Sequence, residues 1–163
     1  MKSFTALTTL LLAAVASATP TPVDFETSAD VLAKRDTEIV YLANCQSEVS
    51  CCTPTQYYSQ ILYYPASADS NNGQAPTAAN TCTVNSNSLL TWEGSAQSCT
   101  YSSGVTFTSH IDAGSHAAYS YSGWGSNGFK NWNCYRDNGR LIFSQSRPEA
   151  ENHCNSIYYC LPQ

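Results

Sequence analysis

Charge is what this chain lacks most. Charged side chains make up 12% of its 163 residues, about half the usual share for a soluble domain. The few that are present leave a net charge of −5. Nucleic acid is therefore not expected as the main partner, because affinity for phosphate backbones comes largely from clustered Lys and Arg. Long apolar runs are missing too. The stretch from Ala6 to Val15 falls well short of the roughly 20 residues that cross a bilayer as a helix, so no membrane span is expected. There is no Asn-x-Ser/Thr sequon, which removes ordinary N-glycosylation. No Gly-x-Ser-x-Gly elbow marks a hydrolase nucleophile, no CxxC pair marks a redox or zinc site, and no cofactor motif is present. Helical periodicity is scarce as well, which leaves an all-β chain as the expectation.

The residues that are present follow a secretory order. Lys2, the apolar stretch and the small residues Ala16-Ser17-Ala18 read as a signal peptide over 1–18. Residues 19–35 hold Pro20 and Pro22, lack cysteine and close on the dibasic pair Lys34-Arg35, the pattern of a pro-segment cut by subtilisin-type processing proteases. Residues 36–163 would then be the mature product, a length suited to one domain. All eight cysteines fall within it, after the point at which the chain enters an oxidising compartment. The expected location is extracellular.

Short runs of β-branched and aromatic residues recur between Gly, Asn, Ser and Pro clusters. They predict strands over 39–43, 57–64, 89–92, 105–111, 117–121, 130–136, 140–143 and 156–160. Residues 65–80 read as one long polar loop, and 123–128 as a Gly-rich connection. Asn138-Gly139 carries the chemistry of a type I′ hairpin turn, which would pair Cys134 with Phe143 and Asp137 with Arg140. In that register Trp132, Cys134, Leu141 and Phe143 share a core face, and Asp137 and Arg140 form an exposed ion pair. The expected fold class is a small, disulfide-bonded, single-domain barrel or sandwich.

Cys45, Cys51, Cys52, Cys82, Cys99, Cys134, Cys154 and Cys160 are even in number and read as a disulfide framework. Adjacent α-carbons lie about 3.8 Å apart, below the roughly 4.4 to 6.8 Å of an unstrained bridge, so Cys51 and Cys52 take different partners. Cys154 and Cys160 would need the chain between them to loop back, so each is expected to pair elsewhere. Cys134 should find its partner outside the hairpin, on an adjacent strand or at an end of the chain.

Among chemical constellations, Glu93, His110, Arg136, Arg140 and His153 could supply the acid, base and phosphate clamp of a small secreted ribonuclease, with His116 and Asp112 nearby in sequence. Their spacing does not reproduce the ordered Tyr-x-His, Glu, Arg, His pattern of guanyl-specific ribonucleases. His110 and His116 around Asp112 lack specific metal-ligand spacing. Trp92, Trp124 and Trp132, with Tyr57, Tyr58, Tyr63, Tyr64, Tyr119, Tyr121, Tyr158 and Tyr159, divide on alternation into core fillers and a coat suited to stacking on sugars or a partner protein. Trp124, between Gly123 and Gly125, is the candidate for exposure.

Three segments together, Val40 to Cys45, Asn133 to Arg140 and Ser156 to Cys160, resemble small secreted proteins of plant-associated filamentous fungi. Within that group, length and processing are similar to the hypersensitive-response-inducing protein elicitors. The resemblance implies an apoplastic all-β protein that engages a plant cell-surface or apoplastic component and triggers localised cell death and defence without catalysis. It transfers no site residue. A cell-wall carbohydrate-binding module and a small ribonuclease are the alternatives.

Overall fold

Two of the first strands carry apolar residues on both faces, and this fixes the architecture. In the computed structural model, which describes residues 38–49, 54–147 and 150–163, β1 (Ile39–Val49) pairs with β2 (Gln56–Tyr64). Val40 and Leu42 of β1 and Ile61 of β2 point to one core, while Ile39, Tyr41, Leu62 and Tyr64 point to another. Unbroken apolar strands of this kind belong in the middle of a protein. The leader, the pro-segment with Lys34-Arg35, and Cys51 and Cys52 lie outside the described residues.

The remaining strands are β3 (Thr81–Asn85), β4 (Ala96–Thr100), β5 (Thr106–Ile111), β6 (Tyr121–Ser126), β7 (Asn131–Arg136), β8 (Leu141–Arg147) and β9 (Ala150–Pro162). They form one antiparallel sheet in the order β3-β2-β1-β9-β7-β6-β5-β4, with β8 also on β9, curled into a nearly closed barrel. The two strands at the ends of that order, β3 and β4, are joined by Cys82–Cys99. That bridge closes the seam covalently where no ladder does. Cys134–Cys160 links β7 to β9, and Cys45–Cys154 links β1 to β9. Cys134 thus bonds an adjacent strand near the end of the chain, and Cys154 and Cys160 do take separate partners.

The Asn138-Gly139 hairpin does not form. Gly139 has φ +79°, but Tyr119 is the only non-glycine residue with positive φ among the described residues, so the two positive angles of a type I′ turn are not supplied. Instead β7 and β8 run one after the other along the same edge of β9. Residues 137–140 form a bulge between them. Asp137 N–H donates to the Ile157 carbonyl and Ser156 N–H to the Arg140 carbonyl, both at 2.9 Å, so bonding to β9 resumes on each side. Within the bulge the Asp137 side chain accepts from Asn138 N–H at 2.8 Å, and the Asn138 side chain accepts from Arg140 N–H at 3.0 Å, the second forming an Asx turn. A long partner strand prevails over a local turn signal. Consequently Cys134 lies opposite Cys160, and Phe143 opposite Cys154. Trp132, Cys134 and Phe143 are buried as expected, but Leu141 is half exposed, and Asp137 is buried rather than exposed while still meeting Arg140 at 3.4 Å.

At the same level β9 carries its own irregularity. Leu42 pairs with Tyr158 and Ala43 with Ser156, leaving Ile157 as the extra residue. A bulge bends its strand and changes which side chains face together. Before it, Leu42 and Tyr158 enter the barrel core; beyond it, Ala43, Cys45 and Cys154 enter the second core with Ile142 and Phe143.

Three further expectations need correction. Residues 65–80 are not wholly irregular: they hold α1 (Ser67–Asn71) and a 3₁₀ turn (Ala78–Asn80), packed down by a bond between Ser70 Oγ and Tyr41 Oη at 2.9 Å and by Tyr64 O–H donating to the Gln74 carbonyl at 2.8 Å. Residues 89–92 are not a strand. They cross one end of the barrel as a plug, with Trp92 fully buried. Trp92 Nε1–H and Ser59 O–H both donate to Asn44 Oδ1, at 3.1 and 2.7 Å, while Leu90 N–H donates to Ser59 Oγ at 2.8 Å. Residues 117–120 form a turn, and β6 begins only at Tyr121.

Candidate functional site

The supposed Gly-rich connection is most of β6, and its glycines explain how it folds. A Cβ on Gly125 would sit 2.4 Å from Phe107 Cζ, and one on Gly123 would sit 2.1 Å from the His110 carbonyl oxygen at φ +144°. Both positions face crowded surroundings that leave no room for a side chain. Trp124, between them, therefore points outward, 42% exposed. It lies on a strand, not in a flexible turn.

Trp124 is held there by stacking. His110 pairs with it across β5 and β6, with ring centroids 4.1 Å apart and planes 18° from parallel. Following the register outward from β5 gives the row His110, Trp124, Asn133 and Leu161. The next row is Tyr121, Tyr135, Tyr159 and Tyr41. Tyr121 and Trp124 are three residues apart and would normally face opposite ways. The irregularity between Tyr121 and Gly123 puts both on the outer face. Tyr121 meets Tyr135 edge-on at 6.0 Å, and Tyr135 stacks on Tyr159 at 5.5 Å. The row then descends from exposed Tyr121 to buried Tyr41. No Asp, Glu, Lys or Arg stands in either row, so the face is neutral in a chain of net negative charge. Its chemistry is stacking, with amide and phenol hydrogen bonds at the margins.

Beside this face Tyr119 stands 61% exposed, with φ +66°, and its hydroxyl accepts from Asn138 Nδ2 at 2.8 Å. Arg140 lies over the Tyr41 ring at 5.1 Å, donates to the Tyr41 hydroxyl and meets Asp137. Burial raises the Tyr41 phenol pKa, with Arg140 among the groups opposing the rise. Arg140 is thus engaged in bracing the aromatic row from one end.

The ribonuclease candidates divide among four places. Glu93 and Arg136 come together at 3.3 Å, and the Tyr158 hydroxyl donates to the same Glu93 oxygen. Arg136 also covers the Tyr158 ring at 5.0 Å, and His116 approaches that ring edge-on at 6.2 Å. Burial, with help from the Glu93 contact, pushes the Tyr158 phenol up to about 12. It stays a donor throughout the neutral range. His110 is stacked on Trp124, and Arg140 is on Tyr41. His153 lies five residues from Tyr158 along β9, about 17 Å at the rise of an extended strand, and pairs with Glu151 at 3.6 Å. His116 Nε2 contacts the Asp112 carbonyl oxygen at 3.0 Å. Among the described residues no three His, Cys, Asp or Glu side chains group as metal ligands, and no helix is long and apolar enough to cross a membrane.

Alternation in the sequence marks Trp132 as buried, and the flanking glycines mark Trp124 as outward, but alternation does not put Tyr121 on the face of Trp124, which takes the irregularity of β6. Nor does it reveal Tyr135 as the stacking link, because that depends on which strands are neighbours. No protein-family model, curated protein or solved structure matches the chain.

Proposed function

We propose that this protein is a secreted recognition protein of the elicitor kind, acting through the outer face of β5, β6, β7 and β9 and not through catalysis. The exposed Trp124 ring, fixed between two glycines and stacked on His110, carries the reading. An aromatic ring already held in place loses little freedom on binding, which is the property of an interface anchor. The separate partners of His110, Arg140 and His153 support recognition over phosphate-ester chemistry. The proposed partner is a plant cell-surface or apoplastic component, and the setting is the host apoplast.

Infiltration of purified protein into leaves tests this. Folded protein is expected to trigger localised cell death, and Trp124→Ala to lose most of that activity. Equal activity from reduced, alkylated protein would mean that a linear peptide is perceived, and would overturn the reading.

A second reading rests on the neutrality of the same face: stacked rings flanked by Asn133, Ser126 and Thr108 suit a cell-wall glycan. Retention on insoluble polysaccharide, lost in Trp124→Ala, would favour it over a protein receptor.

A further inference from the structure

The barrel end away from the Trp92 plug opens onto a cavity of about 230 Å³. Tyr63, Tyr101, Phe107 and Trp132 supply rings to its wall, and Val40 and Val105 fill in between. Phe107 meets Trp132 edge-on at 5.4 Å, which fixes both. Glu38 and Lys130 stand at this cavity as an ion pair, and Tyr63 O–H donates to the other Glu38 oxygen at 2.9 Å. The two charges answer each other, so this pair favours neither an anion nor a cation.

Tyr101 Oη and Trp132 Nε1 are buried without a hydrogen bond among the described residues, in side chains 8% and 2% exposed. Unpaired buried polar groups are rare and costly. Here both belong to residues lining one cavity. The indole N–H is a donor only, so what satisfies it must be an acceptor; the phenol can donate or accept. The walls discriminate further. A monosaccharide would leave hydroxyls against the rings and valines, at a desolvation cost that Asn80, Ser103 and Asn127 at the cavity offset only in part. A cavity of about 150 Å³ lined by apolar side chains takes up benzene, so this larger one suits a fused two-ring compound.

We infer that the open end of the barrel is a binding site for a small, neutral, planar aromatic molecule carrying a hydroxyl or carbonyl oxygen. Its rings lie among Tyr63, Phe107 and Trp132, and its oxygen bonds the Trp132 N–H and the Tyr101 hydroxyl. The site is separate from the Trp124 face and does not depend on its role.

The probe is 2-naphthol, with naphthalene as the analogue lacking oxygen, titrated into the oxidised full chain by calorimetry. One saturable site per chain is expected, with 2-naphthol bound several-fold more tightly than naphthalene. Tyr101→Phe keeps the ring and should weaken 2-naphthol by roughly 3- to 10-fold, the worth of one hydrogen bond, while leaving naphthalene unchanged. Val105→Phe fills the cavity and should abolish both, whereas Trp124→Ala should change neither. Near-ultraviolet circular dichroism confirms that each variant is folded. Absence of saturable 2-naphthol binding overturns the inference, as does binding that survives Val105→Phe or disappears in Trp124→Ala.

Discussion

Trp124 and His110 lie face to face across neighbouring strands, 4.1 Å between centroids, with Trp124 left 42% exposed. The histidine thus orders the tryptophan without covering it. Trp124→Ala should cost at least about 2 kcal/mol of binding, some 30-fold in half-maximal dose for cell death, as expected for an anchor. Its effect on folding should stay within about 1 kcal/mol. His110→Ala should lose roughly 0.5 to 1.5 kcal/mol of binding by freeing the ring. Dose–response curves and urea melts on the same preparations separate the two effects.

The glycines beside Trp124 should be among the least replaceable residues. Gly125→Ala drives a methyl to 2.4 Å from Phe107 Cζ and should destabilise the fold by about 1 to 3 kcal/mol. Gly123→Ala meets backbone at 2.1 Å and a φ of +144° as well, so the loss should reach about 3 kcal/mol or more. Urea denaturation monitored by tryptophan fluorescence measures both.

The seam between β3 and β4 depends on Cys82–Cys99, which spans 17 residues of sequence. Replacing both cysteines by serine should cost about 3 kcal/mol on the loop-closure account. Denaturant midpoints of the variant against the parent give the number. A variant of unchanged stability would show that packing alone holds the seam.

Asn44 is the hub of the Trp92 plug. Asn44→Ala deprives the Trp92 N–H and the Ser59 hydroxyl of their shared acceptor, and stability should fall by roughly 3 kcal/mol. Hydrogen exchange of the Trp92 indole proton, slow in the parent, should become fast.

High pH should unfold the protein through its tyrosines. Burial raises the phenol pKa of Tyr41, Tyr64 and Tyr101, and that of Tyr158 to about 12, from the ordinary 10.0. The folded state therefore keeps protons that the unfolded chain would release. This stabilisation is complete below pH 10 and is lost as pH rises toward 12. Phenolate absorbance should show a late phase coinciding with loss of near-ultraviolet dichroism.

Much of the fold was legible because burial writes plainly in β1 and β2, whose apolar runs have no polar face. Cys134 bonds an adjacent strand, as expected, although the hairpin register on which that expectation rested does not form. The Asn138-Gly139 turn misled because it is a local signal, and β9, whose Ala150 to Asn155 half carries Glu, Asn and His, prevailed over it without announcing itself as a strand. Trp92 read as part of a strand because a plug and a strand both want a buried aromatic. The site was half legible: Gly-Trp-Gly marked an outward tryptophan, but its partner His110 and the row through Tyr135 follow only from strand order. Tyr101 and Trp132 gave no sign of sharing a cavity.

β9 binds β1 along one edge and both β7 and β8 along the other, yet it follows all the other described strands in the chain and so is made after them. Until it emerges, β1 lacks the neighbour that buries its far edge, and Cys45 waits 109 residues for Cys154. Such long-range pairing slows folding. The barrel can therefore be completed only once β9 has emerged: Cys82 and Cys99 can bond before then, whereas Cys45 and Cys134 must stay open for Cys154 and Cys160.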